Sequence, residues 1–409
     1  MRRGSNLPAV GTYNQTLVLD LIRRAPAGIS RIELAARTGL SPQTLSNVAR
    51  RLVAEGWVRE GTPVASGPGK PRTPLQLDPS ARCAVGIHLD PAVDTFVVVD
   101  LLGEVVAHAE RTPRQDGSAD DIVADLARAV DDLLAEAGRD RRSVLGVGVA
   151  APGPLDADRG LLFEPPLLPA AWHQLAVGPR LSAATGLTTT LEKDVVAAMV
   201  GELWRDASQE LQDSIFFYYG AGVGAGLAVD GTPIRGRTGN AGDIAHLVVE
   251  PGGPVCGCSQ RGCLGVAISP ERLLVDAGIV APGHPIAAPA LRGHLRALAA
   301  RAAAGDERAR RAAEHAGASL ARAVVQINNL LDADVVVVGG PLWSLLSPTA
   351  APALNRGVAD STETATLGGI RVLDSRLASE AAAVGAACLV LDAAMTARPT
   401  DLMIADSPV

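Results

Sequence analysis

Apolar positions recur with helical spacing at the start of the chain and in strand-like runs after it. Over residues 12–25, Leu17, Val18, Leu21 and Ile22 share one helix face, and Pro26-Ala27-Gly28 ends the pattern. Ser30 is placed to cap a second helix over residues 31–38, with Glu33 completing a capping box. Gly39 permits a sharp turn. Ser41 then caps a third helix with Pro42 in its first position, running to about Glu55 with Leu45, Val48, Leu52 and Val53 inward. Ser41, Gln43, Thr44, Ser46, Asn47 and Arg50 are left polar at its start and outer face. Trp57-Val58-Arg59 and Leu75-Gln76-Leu77 read as two short strands around a Gly/Pro turn, residues 66–72, that carries Lys70 and Arg72.

Three helices and a basic hairpin predict a winged helix-turn-helix over residues 1–80, with the third helix as recognition helix and the hairpin as wing. Gln and Asn can make bidentate contacts to adenine and Arg to guanine, and wing cations suit phosphate or the minor groove. The alternative is a small helical domain with a solvated polar face.

Beyond residue 80 the pattern changes to strands alternating with helices, so the class is α/β. Strands are expected at 84–87, 95–100, 143–150, 214–219 and 335–338, and amphipathic helix at 120–137. Glycine-rich turns are expected at 220–226 and 339–340, where backbone amides can approach phosphate or simply connect elements. Residues 285–316 read as one Ala/Arg-rich helix, 381–394 as a packed helix with Cys388 in the core, and the end after Ala397 as a frayed tail. His88, His108 and His173 have no evident partners in the sequence.

Charge sharpens this division. Residues 1–75 hold 11 Lys/Arg and 4 Asp/Glu, a net of +7, and the rest holds 26 and 40, a net of −14. A basic head on an acidic body suggests that the head meets a polyanion. With 47% apolar residues, 20% charged, no apolar run near the ~18 residues of a membrane span and no signal-peptide order at the N-terminus, a soluble cytoplasmic protein without a membrane partner is expected.

Three of the five cysteines fall within eight residues: Cys256, Cys258 and Cys263. His246 lies ten residues before the first. Three thiolates and one imidazole make a closed tetrahedral zinc shell with no open position, hence a structural site. Free thiols in a Gly-rich loop are the alternative.

The run Gly239-Asn240-Ala241-Gly242-Asp243-Ile244-Ala245-His246, followed by Cys256-Gly257-Cys258-Ser259-Gln260-Arg261-Gly262-Cys263-Leu264, resembles the signature of the ROK family (repressors, open reading frames, kinases). Gly153-Pro154-Leu155-Asp156 and Glu192-Lys193-Asp194 belong to the same resemblance. It implies two actin-like, ribonuclease-H-type lobes around a cleft, over 81–200 and 201–395, with 396–409 as tail. The winged head points to the repressor branch, acting on double-stranded pseudo-palindromic DNA as a homo-oligomer, dimer or tetramer.

Departures from the family pattern bear on activity. The family's phosphate loop, Ile-Asp-x-Gly-Gly-Thr, aligns with Ile87-His88-Leu89-Asp90-Pro91-Ala92. Pro91 lacks an N–H and Asp90 brings negative charge, so metal-ATP binding is expected to be crippled and the chain not to be an enzyme. Of the family's sugar contacts, Leu167, Lys193, Asp243 and Gly265 stand at altered positions, and Asp194 and His246 persist. Asp194 matches the kinase general base. It is either a vestige or, with Lys193, Asp243 and His246, part of a candidate site for a sugar-like or phosphorylated effector. Three readings compete: an effector-sensing regulator, a regulator whose body only oligomerises, and a sugar kinase with an accessory head.

Overall fold

The computed structural model describes residues 7–63, 72–114, 116–361 and 369–397. The head contains α1 (Leu7–Arg23), β1 (Ile29–Ser30), α2 (Arg31–Thr38), α3 (Pro42–Ala54), β2 (Val58–Glu60) and β3 (Pro74–Leu77). The starts of α2 and α3 follow the sequence, whereas α1 begins at Leu7, five residues before the start expected at residue 12. The Ser30 side chain accepts from Glu33 N while the Glu33 carboxylate accepts from Ser30 N, a closed capping box. Ser41 accepts from Thr44 N, with Pro42 at the first helical position. Such caps contribute about 1 kcal/mol each, because they satisfy amides that the helix start leaves free. Gly39 takes φ +69° at the end of α2, the left-handed cap that a side chain would disfavour. β3 pairs antiparallel with both β1 and β2, so the hairpin is the wing of a three-stranded sheet. Lys70 and most of the wing turn lie outside the described residues.

The first lobe follows with β4 (Cys83–His88), β5 (Asp94–Asp100), β6 (Val105–Arg111), α4 (Ala119–Glu136), β7 (Val144–Ala151), the small pair β8 (Leu155–Asp156) and β9 (Leu161–Leu162), α5 (Val177–Thr185), β10 (Thr189–Lys193) and α6 (Asp194–Arg205). The second holds β11 (Ser214–Tyr219), β12 (Val223–Val229), β13 (Thr232–Pro233), α7 (Leu264–Ala267), α8 (Pro270–Asp276), α9 (Leu291–Ala303), α10 (Glu307–Leu331), β14 (Val335–Gly339), α11 (Trp343–Ala359), β15 (Arg371–Asp374) and α12 (Ala381–Met395).

The two large sheets repeat one topology. The first has order β6-β5-β4-β7-β10 and the second β13-β12-β11-β14-β15. In each, the first three strands form an antiparallel meander and the last two run parallel to the first. β4, β5 and β11 are buried along their whole length, as is β14, and β7 is buried over all but its first two residues, as strands covered on both faces must be. The ends of the two equivalent first strands, His88 and Tyr219, lead into turns that face each other across the interlobe cleft.

Four sequence expectations change. The glycine-rich stretch 220–226 is a turn only up to Gly222, and the remainder is strand β12, whose glycines lie against α6. The Ala/Arg-rich helix over 285–316 is broken at Gly305-Asp306, where the Asp306 side chain caps α10, which then continues to Leu331. Residues 378–395 are long and apolar enough to cross a bilayer, with a mean hydropathy of 1.5, contrary to the expected absence of such a run. This segment is 61% buried, and α12 packs on β4, β7 and α6, so it is a core helix. The sequence division puts α12 with the second lobe, yet it lies on the first sheet. Gly86 and Gly148 make that seat: a Cβ on either would overlap the carbonyl oxygen of Ala383 or Ala386. The frayed tail expected after Ala397 lies outside the described residues.

The head shares a core with the body. Val18, Leu19 and Ile22 of α1 belong to one apolar cluster with Cys388, Leu391 and Met395 of α12 and Val97, Val99 and Leu101 of the first lobe.

Candidate DNA-reading face, interlobe cleft and metal centre

On α3, Leu45, Ala49 and Leu52 are buried, which fixes the opposite face outward. Ser41, Gln43, Asn47 and Arg50 are exposed, and Thr44 and Ser46 are half-buried. Gln43 Nε2 donates to Asn47 Oδ1 at 3.4 Å, and Arg50 Nη1 approaches the same oxygen at 3.5 Å. These three residues form one ridge of amide and guanidinium groups along the helix. Arg51 is held by Glu55 at 2.7 Å, whereas Arg50 has no carboxylate partner among the described residues. Arg72, at the base of the wing, is exposed. The hairpin and the ridge are the parts that a duplex groove would receive.

In the cleft, the turn after β4 carries its own anion. Asp90 is 3% exposed; its Oδ1 accepts from Ala92 N at 2.8 Å, and its Oδ2 accepts from the Tyr218 hydroxyl at 2.7 Å. Ala221 N, in the facing turn, points at the same oxygen from 3.4 Å. A Cβ on Gly220 would lie 2.6 Å from that oxygen, so the second-lobe turn closes directly on the carboxylate. His88, without an evident partner in the sequence, packs edge-on against Tyr218, and burial lowers its pKa. Burial also raises the Asp94 pKa well above the carboxylate range. His108 likewise has a partner, Glu380, at 2.5 Å.

Other groups bridge the lobes. Lys193, 7% exposed, donates from Nζ to Asn240 O at 3.0 Å. The Asn240 side chain exchanges two hydrogen bonds with the Leu155 backbone, at 2.8 and 3.0 Å. Arg235 pairs with the buried Glu192 at 2.6 Å. Leu167 is exposed and sits against Gly222, since a Cβ there would lie 2.8 Å from Leu167 Cδ1. Asp243 is exposed, its carboxylate directed to Ala245 N at 3.4 Å. Gly265 packs on Ala245 and donates to its carbonyl at 2.8 Å. Of the candidate effector residues, Lys193 and Asp194 are thus buried at the junction, while Asp243 and His246 lie on the loop that Lys193 meets at Asn240.

Asp194 opens α6, with Oδ1 accepting from Val195 N at 2.7 Å. Burial pushes its pKa up to about 7, Asp90 adds to the rise, and the Val195 amide and Lys193 oppose it. The folded state therefore holds this proton more tightly than an unfolded chain with a pKa near 3.8, and stability falls as pH rises between those values. Asp194→Asn is expected to raise the melting temperature more at pH 8 than at pH 5, where the parent is already protonated. Scanning calorimetry of both chains at both pH values checks this; equal gains would contradict it.

His246, Cys256, Cys258 and Cys263 place their ligand atoms within 4.8 Å of one another. His246 Nδ1 is 3.4 Å from Cys256 Sγ, and Cys258 Sγ is 3.5 Å from Cys263 Sγ. Tetrahedral zinc bonds of ~2.0 Å to nitrogen and ~2.3 Å to sulfur separate neighbouring ligands by roughly 3.6 Å, so the donor set fits such an ion. A hydrogen bond from the Gln260 amide lowers the Cys258 pKa, which favours the thiolate a metal needs. The cluster can hold a metal. It would tie the loop after His246 to the start of α7, because Cys263 immediately precedes that helix.

A winged-helix head on a body of two lobes with duplicated ribonuclease-H-type sheets defines a regulator built on a sugar-kinase-like scaffold. A model of the ROK family matches residues 86–393, and one of the MarR family matches 12–65. The chain belongs to the ROK family, with a MarR-type winged-helix head. It is 26% identical over 342 residues to the DNA-binding transcriptional dual regulator NagC of Escherichia coli K12, covering 82% of each chain. It is 25% identical to a glucokinase of Thermotoga maritima, over 75% of this chain and 96% of that one. Among solved structures, a ROK family transcriptional regulator described as a homologue of the Escherichia coli MLC protein superposes with a TM-score of 0.75 at 24% identity, over 95% of this chain and 97% of that one. A Streptomyces griseus glucokinase in complex with glucose and AMPPNP gives 0.60 at 25% identity, over 75% and 98%.

Sequence reasoning missed Tyr218 and Arg235, and it named Glu192 only within the family resemblance, without its pairing to Arg235. Tyr218 is the penultimate residue of an apolar strand, and nothing in its neighbourhood distinguishes it from core. Only the facing of the two turns gives it a role.

Proposed function

We propose that the chain is a DNA-binding transcriptional repressor that docks as a homo-oligomer, with Arg50, Asn47 and Gln43 reading bases and Lys70 and Arg72 on backbone. The exposed Gln43–Asn47–Arg50 ridge on a buried-backed helix carries this reading. A dimer would set two such helices on half-sites one helical turn, about 34–36 Å, or a multiple of it apart. Residues 246–263 would take zinc in a structural role, and the site of action would be the cytoplasm, where the DNA is.

The body in this reading no longer phosphorylates sugars. The Asp90 carboxylate already accepts from Ala92 N, from the Tyr218 hydroxyl and, at 3.4 Å, from Ala221 N, and Pro91 has no N–H to offer. A nucleotide phosphate entering there would meet a negative charge on amides already engaged. Relatives include an N-acetylglucosamine repressor and a xylose repressor, which supports a sugar-like or phosphorylated effector in the cleft, near Lys193, Asp194, Asp243 and His246. Such a ligand acts only through its differential affinity for two lobe arrangements. Incubation of the full chain with magnesium-ATP and a hexose panel is expected to yield no sugar phosphate. Turnover near the ~10 s⁻¹ typical of enzymes would overturn this part of the reading.

A further inference from the structure

We propose that α6 is a strut that transmits the state of the interlobe cleft to the head through one joint, Arg23 against Trp204. The first turn of α6 bears on the second lobe. A Cβ on Gly226 of β12 would overlap the Val195 carbonyl, and one on Gly224 would lie 2.7 Å from Val195 Cγ1. Any relative motion of the lobes therefore acts on this turn, which begins at Asp194. The helix ends at Arg205, about 16–18 Å away at ~1.5 Å per residue.

At that far end the Arg23 guanidinium lies over the Trp204 ring, 3.9 Å from its centroid. Arg23 is the last residue of α1, so the contact joins the head's first helix directly to the cleft helix. The indole is enclosed on its edge as well: a Cβ on Gly103 would lie 2.7 Å from Trp204 Cδ1. Arg205 pairs with Glu104 of the same turn at 2.5 Å. Trp204 Nε1 is buried with no hydrogen-bond partner among the described residues, so packing and Arg23 alone hold the ring.

Along its length α6 is braced by α12. At Gly385 the backbones of α12 and α6 touch, since a Cβ there would overlap the Ala197 carbonyl, and Gly201 meets Gly385 in the same way. α1 also packs on α12, a second path to the head that Arg23→Ala leaves in place, so loss of the α1 response in that background singles out the joint. Beside the joint lies an open hollow of ≈1070 Å³, lined in part by Arg23, Arg24, Trp204, Arg205, Asp392 and Thr396.

The test uses the full chain and a remote perturbation, Tyr218→Phe, which removes one bond of the cleft latch. Hydrogen exchange of amides in residues 194–205 and 17–25 is expected to accelerate together, by about fivefold or more. With Arg23→Ala as background, the same substitution should accelerate only 194–205. Acceleration confined to the cleft, no acceleration, or an α1 response that survives Arg23→Ala would overturn the strut. A second arm rests on the DNA-binding reading above. On a duplex enriched by the wild-type chain from a random library, Tyr218→Phe should shift the Kd and Arg23→Ala should abolish that shift; additive effects would overturn the strut. Failure to enrich any duplex would overturn the DNA-binding reading instead, with the exchange data still deciding the strut.

Discussion

Cys258→Ser is expected to abolish metal binding at the His246–Cys263 cluster and to lower the melting temperature by roughly 10 °C or more. The cluster joins His246 to three thiols that span only eight residues, and the chain between them is mostly turn. Val248 and Val255 bridge back to Cys263 and Arg261, but no regular sheet supports the loop. Cross-linking such a segment offsets the entropy of ordering it, which few apolar contacts here can do. Apparent binding energies of structural zinc in small peptides reach ~10–16 kcal/mol at pH 7, so even a quarter of that is a large share of a domain's stability. Cys258 is exposed, and serine is nearly isosteric, so a loss of stability reports the missing ligand rather than a packing defect. Elemental analysis with calorimetry checks both parts. A parent chain that is metal-free and equally stable would sink the claim.

Arg50→Ala is expected to weaken binding to the specific duplex by ten- to a hundredfold, following the ~1–3 kcal/mol typical of a bidentate base contact. The side chain is exposed and its nearest polar neighbour is the Asn47 amide, so its removal leaves the helix intact. Random-sequence duplex should be affected far less. Arg72→Ala contrasts with it: without this wing cation on the phosphates, binding to all duplexes should weaken together and the salt slope should fall by about one. Fluorescence titrations on specific and random duplexes at several salt concentrations separate the two. Equal weakening on both duplexes for Arg50→Ala would remove it from base readout.

Much of this molecule is written in short-range pattern. The head follows from caps and periodicity, because Ser30, Glu33, Ser41 and Pro42 act within one helical turn of where they stand. The metal cluster follows from spacing, since ligand chemistry demands it. The cleft does not. Asp90 reads in sequence as a lost phosphate loop; its partnership with Tyr218 spans 128 residues and depends on two turns meeting across the lobes. The glycines of β12 read as a turn because strand glycines and turn glycines look alike, and only the close approach of α6 tells them apart. The apolar run of α12 looks ordinary as sequence, yet it is the helix on which the head and the first sheet share a core. Asn240, Leu155 and Lys193 likewise meet only through the tertiary fold.

Whether the head reads sequence as one half of a symmetric pair is decided by selecting duplexes from a random library with the full chain and sequencing them. The expected result is enrichment of a pseudo-palindrome whose half-sites lie one helical turn or a multiple apart, with Arg50→Ala relaxing the preference at one base pair of each half-site. Recovery of no sequence preference by a folded, metal-loaded chain would contradict DNA reading by this head.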